Sequence, residues 1–153
     1  MNDMLRQLYE EVILDHNRNP RNFNKVLDET SHSAHGDNPL CGDRYSVSLK
    51  VKDGIVEDAS FEGSGCAISK ASASLMLESI KGKKLSEVED LFRSVHCKLT
   101  DDCEMCKKAV DLGKLEVLSG VKEFPMRVKC ATLPWHILNA AIAETKAATV
   151  STE

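Results

Sequence analysis

The sequence predicts an α+β fold, a small antiparallel three-stranded sheet with helices packed on one face. Three observations carry this expectation. Tyr45, Val47, Leu49 and Val51 alternate with polar residues, Asp53-Gly54 stands where a two-residue primed turn belongs, and Ile55, Ala59 and Phe61 alternate in their turn, the pattern of an antiparallel hairpin. Apolar residues recur at helical spacing on both sides of that hairpin, so helices are at hand to cover its apolar face. A chain of 153 residues is long enough to bury a core as a single domain without disulfide staples.

The elements follow in order. Leu5, Leu8, Tyr9, Val12 and Ile13 share one helical face, Asn2 or Asp3 can cap it, and Asn19-Pro20-Arg21-Asn22 stops it, so the chain opens with an amphipathic helix. His16 continues the apolar stripe and reads as a packed histidine near the helix end rather than a ligand. From Phe23 to His35 the periodicity is poor, and a loop is expected to lead into a short edge strand near Ser31 to His35. His32 and His35 have no cysteine or acid beside them and read as surface histidines.

After the hairpin, Gly63-Ser64-Gly65-Cys66 leads into a helix from Ala67 to Ile80, rich in Ala and Ser and closed by Gly82. Cys66 stands at its N-terminus, where orphan amides and the positive dipole end favour thiolate over thiol. Ser86 with Glu89 reads as a capping box for a helix built on Leu85, Val88, Leu91, Phe92 and Val95. A shorter helix is expected from about Asp102 to Leu118, interrupted near Gly113. Phe124 to Lys129 is expected to extend to Cys130, followed by a last amphipathic helix carrying Leu133, Ile137, Leu138, Ala141 and Ile142, with Pro134 near its start. Cys130 would then precede a helix, as Cys66 does. The tail from Lys146 to Glu153 reads as frayed.

The formal net charge of -4 provides no basic field, which speaks against nucleic acid or an anionic membrane as partner. Met1 to Asp15 is amphipathic and contains acids, unlike a signal peptide, and no stretch is long and apolar enough to span a bilayer. Six cysteines without an export signal point to a reducing, cytoplasmic setting in which thiols stay free for metal binding or chemistry.

Those cysteines have a focus in the loop Asn38-Pro39-Leu40-Cys41-Gly42-Asp43. A thiolate and a carboxylate separated by one glycine can face a single cation, because Gly42 takes backbone angles closed to other residues. Cys66 and Cys130 in comparable settings complete four ligands of the types tetrahedral zinc accepts. Their long separations mean that the site forms only on folding. On these residues alone, ordinary packed cysteines remain the open alternative.

Four stretches carry a resemblance that bears on the choice. They are Leu14-Asp15-His16 with Asn19-Pro20-Arg21-Asn22; the Asn38 to Asp43 loop; Phe61-Glu62-Gly63-Ser64-Gly65-Cys66 running into Ile68-Ser69-Lys70-Ala71-Ser72-Ala73-Ser74; and Arg127-Val128-Lys129-Cys130-Ala131-Thr132-Leu133. In this order, over nearly the whole chain, they resemble the SufU branch of the IscU/NifU-type family of iron-sulfur cluster assembly proteins. The resemblance implies one SufU/IscU-like domain over residues 1–153, with an inserted helical segment at about 83–120. Carried over by position, it implies that Cys41, Asp43, Cys66 and Cys130 are metal or cluster ligands and that Cys41 is the sulfur acceptor.

Within the family, scaffolds hold a nascent iron-sulfur cluster, place a histidine directly before the last cysteine, and carry a Leu-Pro-Pro-Val-Lys stretch that recruits a chaperone. Here Lys129 stands in the histidine's place, Phe124-Pro125-Met126-Arg127-Val128 departs from the chaperone stretch, and the segment from about Lys83 to Gly120 is longer. These departures resemble the SufU branch. The activity implied is that of a zinc-dependent sulfurtransferase, which takes persulfide sulfur from a SufS-like pyridoxal-phosphate cysteine desulfurase and relays it to a downstream iron-sulfur assembly scaffold. The alternative is a non-enzymatic scaffold assembling an iron-sulfur cluster on the same cysteines. In the transfer reading Cys41 is the ligand that lets go, while Asp43, Cys66 and Cys130 stay. Arg127 and Lys129 are candidate cations to offset the charge of the thiolates.

Four further soft or borderline donors, His96, Cys97, Cys103 and Cys106, lie outside these stretches, within eleven residues. Cys103 and Cys106 would share a helix face, and the group is a candidate second metal site or redox-active pair, against thiols on a surface helix.

Overall fold

A computed structural model describes residues 3–39, 41–100, 112–143 and 148–151. Helix α1 (Asp3–Arg18) leads to strands β1 (His32–Asn38), β2 (Asp43–Lys52) and β3 (Ile55–Ser64), then to helices α2 (Ala67–Ile80) and α3 (Leu85–Thr100). A 3-10 segment (Gly113–Glu123), helix α4 (Pro125–Ala143) and a short strand β4 (Ala148–Ser151) complete the order. The sheet runs β3-β2-β1-β4: β2 pairs antiparallel with both β3 and β1, as expected, and β4 adds a parallel edge to β1.

The hairpin forms as its turn chemistry requires. Asp53 and Gly54 both adopt positive φ, 54° and 75°, so the two-residue turn matches the twist of the strands it joins. Alternation then sends Asp43, Tyr45, Val47 and Leu49 of β2 inward. Helices α2 and α4 pack on the sheet. Helix α2 is central, with Ser69, Ala71, Ser72, Ala73, Ser74, Leu75, Met76 and Leu77 all buried. A continuous run of small side chains lets other elements approach it closely. Ser72 joins it to α4: the Trp135 indole N–H donates to Ser72 Oγ at 3.1 Å, and Ser72 Oγ donates to the Ala131 carbonyl at 2.6 Å.

His16 is buried, as its place on the stripe implied, and its role can be read atom by atom. The Arg21 amide donates to Ser74 Oγ at 2.8 Å, and Ser74 Oγ lies 2.7 Å from His16 Nδ1. The Arg21 amide and the His16 ring thus meet at one Ser74 oxygen, which ties the end of α1 and the loop after it to α2. Burial, followed by Arg21, lowers its pKa below the ordinary 6.5. The latch fixes the Asn19 to Asn24 loop, which lies along β3 through Phe61 N–H to Asn22 O at 3.0 Å and Asn24 N–H to Phe61 O at 2.8 Å.

Several local expectations are corrected. Helix α4 begins at Pro125, so Phe124 to Lys129 is not extended and Cys130 lies within the helix rather than ahead of it. The physical reason is that proline suits the first turn, where its missing N–H costs nothing. Pro134 lies inside α4, withholding the N–H that the Cys130 carbonyl would otherwise receive. The α3 start is shifted: Glu87, not Glu89, reaches back, accepting from the Lys84 amide at 3.1 Å. Residues Gly113–Glu123 form 3-10 rather than α-helical turns. Strand β1 lies inside the sheet rather than at its edge, because tail residues Ala148–Ser151, expected to fray, pair with it.

Candidate metal centre

Three structural devices bring the donors together. Gly42, at φ 72°, turns the loop after β1, where the amides of Cys41 and Gly42 both donate to the Asn38 carbonyl, at 3.1 and 2.9 Å. That turn places Cys41 beside the first residue of β2, the fully buried Asp43. Helix α4 delivers Cys130, also 0% exposed, and its register on α2 is fixed through Ser72 and the neighbouring Ala131. One donor atom from each of Cys41, Asp43 and Cys130 lies within 4.8 Å of the others, and the two sulfurs are 3.1 Å apart. Cys41, half-buried, is the accessible member.

Cys66 joins by a different route. It is the N-cap of α2, and its sulfur accepts the Ser69 amide at 3.4 Å. Its own amide donates to Asp43 Oδ1 at 2.9 Å, tying the start of α2 to the carboxylate. The four residues expected from the sequence therefore converge, three by donor atoms and the fourth by backbone.

The donor set fits a divalent cation. Asp43 Oδ1 is satisfied by Cys66, while Oδ2 is buried and has no hydrogen-bond partner among the described residues. An unpartnered carboxylate oxygen inside a protein costs several kcal/mol unless a cation or donor meets it. Burial, then Cys41, then Asp43 push the Cys130 thiol pKa upward. Two thiols and a carboxylate this close cannot all ionise without a positive charge between them, and two sulfurs with one oxygen are donors that zinc accepts.

Of the two candidate cations, Arg127 comes within reach, its Nη1 being 4.0 Å from Cys130 Sγ. Cys130 foremost, then Cys66, hold its guanidinium in the charged form. Lys129 is exposed. Arg127 also walls a groove of about 350 Å³ with Tyr9, Ile13, Leu14, Ile68 and Phe124.

The other candidate group is only partly described. The His96 ring sits in edge-on contact with His136 (5.2 Å between centroids) and against Phe92, and its Nδ1 is 3.3 Å from Thr100 Oγ1. Cys97 is buried and disulfide-bonded, a state in which its sulfur is not a thiolate donor. Cys103 and Cys106 lie outside the described residues.

Sequence reasoning missed the polar support under Cys66. Tyr45 and Ser69 are 1% and 0% exposed and share a hydrogen bond of 2.9 Å between their hydroxyls. A Cys-x-x-Ser pattern at a helix start was the available signal for Ser69. Tyr45, 24 residues away, gave none.

Comparison with known proteins bears on this geometry. The family profile described as NifU-like N terminal domain matches residues 8–149. The chain is 43% identical over 146 residues to the zinc-dependent sulfurtransferase SufU of Bacillus subtilis, covering 94% of this chain and 95% of that protein. It is 41% identical over 144 residues to the iron-sulfur cluster assembly scaffold protein IscU of Thermotoga maritima, covering 91% and 95%. A crystal structure from Fervidobacterium islandicum, described as a candidate cluster assembly scaffold for the SUF system, superposes with a TM-score of 0.74 at 29% identity, covering 89% of this chain and 97% of that one.

Proposed function

The chain belongs to the family of the NifU-like N terminal domain, and from that premise we propose that it is a zinc-dependent sulfurtransferase, accepting persulfide sulfur from a cysteine desulfurase on Cys41 and relaying it for iron-sulfur cluster assembly. The observation that carries the reading is the inequality of the donors. Asp43 and Cys130 are fully buried, and Cys66, half-buried like Cys41, is tied into a helix N-terminus through the Ser69 amide, whereas Cys41 sits on a glycine turn. The 43% identity to a sulfurtransferase points the same way.

Cys41, Asp43, Cys66 and Cys130 would hold the metal. Zinc, when bound, keeps thiolates ionised at neutral pH without oxidising them. Three thiolates and a carboxylate would leave a net charge of about -2 around a dication, which the Arg127 guanidinium at Cys130 offsets in part. The Cys41 thiolate attacks the outer sulfur of the desulfurase persulfide. A new sulfur–sulfur bond forms on Cys41, the old one breaks, and the desulfurase cysteine leaves as a thiolate, so electrons balance without an external oxidant. The Cys41–Gly42 turn supplies the motion this requires, while Asp43 and Cys130 stay in the core.

A second reading, a scaffold assembling a cluster on the same cysteines, draws on the 41% identity to an IscU. Metal analysis and a desulfurase assay separate the two. The first predicts bound zinc and a desulfurase turnover that rises on addition of the protein and does not rise with Cys41→Ala. A brown, iron-containing protein without stimulation would support the second.

No helix among the described residues is long and apolar enough to cross a membrane.

A further inference from the structure

The space beside Gly65 is a built polar cradle. A Cβ on Gly65 would lie 2.5 Å from Ser69 Oγ, 2.5 Å from Tyr45 Oη and 2.6 Å from Asp43 Oδ1, so the absent side chain is what lets these three oxygens converge. All three belong to residues at most 1% exposed. Their contacts run to Cys66 from two sides. Asp43 Oδ1 accepts the Cys66 amide, while Ser69 Oγ donates to the Cys66 carbonyl at 3.1 Å and lies 3.7 Å from its sulfur.

The proton positions follow from the acceptors. A carbonyl oxygen only accepts, so the single Ser69 hydroxyl proton goes to Cys66 O, and the bond between Ser69 and Tyr45 must be donated by Tyr45. The Ser69 hydroxyl is thereby held in place from behind while its amide faces the sulfur. A thiolate at Cys66 cannot donate to Ser69 Oγ. It offers instead a second acceptor for the Ser69 proton, at the 3.7 Å already present.

We propose that Tyr45 and Ser69 form a buried hydroxyl relay that positions Cys66, making it a retained ligand of the metal centre and leaving Cys41, on its glycine turn, as the ligand free to exchange. Both are positioning residues: they act through the Cys66 backbone and sulfur and take no part in sulfur transfer. The inference rests on the metal-binding part of the reading above and goes beyond it by assigning the asymmetry of the ligands to residues outside the ligand set.

The test is competition for zinc against a chromophoric chelator, together with the sulfur-to-metal charge-transfer band of the cobalt(II)-substituted protein, for the parent, Ser69→Ala and Tyr45→Phe. Loss of a hydrogen-bond partner behind a ligand typically lowers metal affinity 10–100-fold. That range is expected for Ser69→Ala with a shifted charge-transfer band, and a smaller loss in the same direction for Tyr45→Phe, which keeps the ring and removes only the donor. Denaturation of the metal-free proteins separates a positioning effect from general loss of fold. Zinc affinities within about twofold of the parent, with unchanged cobalt spectra, overturn the proposal; so does a normal Tyr45→Phe beside a weakened Ser69→Ala, since the relay would then be idle. A parent that binds zinc but leaves desulfurase turnover unchanged defeats the sulfur-transfer reading without touching this one.

Discussion

Replacing Ser72 by Ala tests how the fold holds the two halves of the site together. Ser72, Ala131 and Trp135 are 0%, 0% and 1% exposed, and the Ser72 hydroxyl mediates between the other two, accepting from the indole N–H and donating to the carbonyl. Ala131 O belongs to a helix, so the larger loss falls on the indole N–H, which is left buried without an acceptor. A stranded buried donor costs about 1–3 kcal/mol, and removal of one oxygen from a close-packed contact adds a little. The expected destabilisation is about 2 kcal/mol, or a fall in Tm of about 4–8 °C for a chain of this size. Trp135 is the sole tryptophan, so its fluorescence in a urea titration reads the change at the site of the perturbation. In a Trp135→Phe background, with no N–H to strand, the same Ser72 change should cost markedly less. A Ser72→Ala protein within about 0.5 kcal/mol of the parent, or equal costs in the two backgrounds, would refute the reasoning.

Asp43→Asn keeps an oxygen for the Cys66 amide but removes the charge, so zinc retention should fall sharply, while the metal-free variant should be no less stable than the metal-free parent, whose Oδ2 is already unpartnered; a large loss of metal-free stability would contradict this. Burial lowers the pKa of both His16 and His136 below 6.5, so the unfolded chain binds more protons just under that pH. Stability is therefore full above about pH 6.5 and lost as pH falls through the window beneath it; urea midpoints should drop from about pH 7 to about pH 5, less steeply in His16→Gln, and an unchanged slope in that variant would exclude His16 as a cause. Gly54→Ala meets open space but forces a side chain onto φ +75°, so a purely backbone cost of about 1 kcal/mol is expected in chemical denaturation.

What the sequence made legible was local. The Asp53-Gly54 turn and the limits of α2 rest on residues within a few positions of one another, and both form as expected. The donors were found differently: Cys41 and Cys130 are 89 residues apart, so their settings suggested a shared site but left packed cysteines open, and the family resemblance decided between the two. Pro125 and Pro134 carry opposite meanings in one helix, the first fitting its opening turn and the second tolerated inside it, and alternation alone does not distinguish them. The Tyr45–Ser69 contact arises because β2 and the start of α2 converge at Gly65, a tertiary event with no local signature. The pairing of β4 with β1 likewise depends on the neighbouring strand rather than on the tail's own sequence.

In the proposed transfer Cys41 receives the sulfur while its neighbours remain anchored. The direct measurement is mass spectrometry of peptides from the zinc-loaded protein after brief incubation with a cysteine desulfurase and cysteine, with thiols blocked at the moment of quenching. The expected result is one added sulfur atom on the Cys41 peptide with zinc still bound. Sulfur on Cys66 or Cys130 with none on Cys41, or no transfer to a zinc-loaded protein, would contradict it.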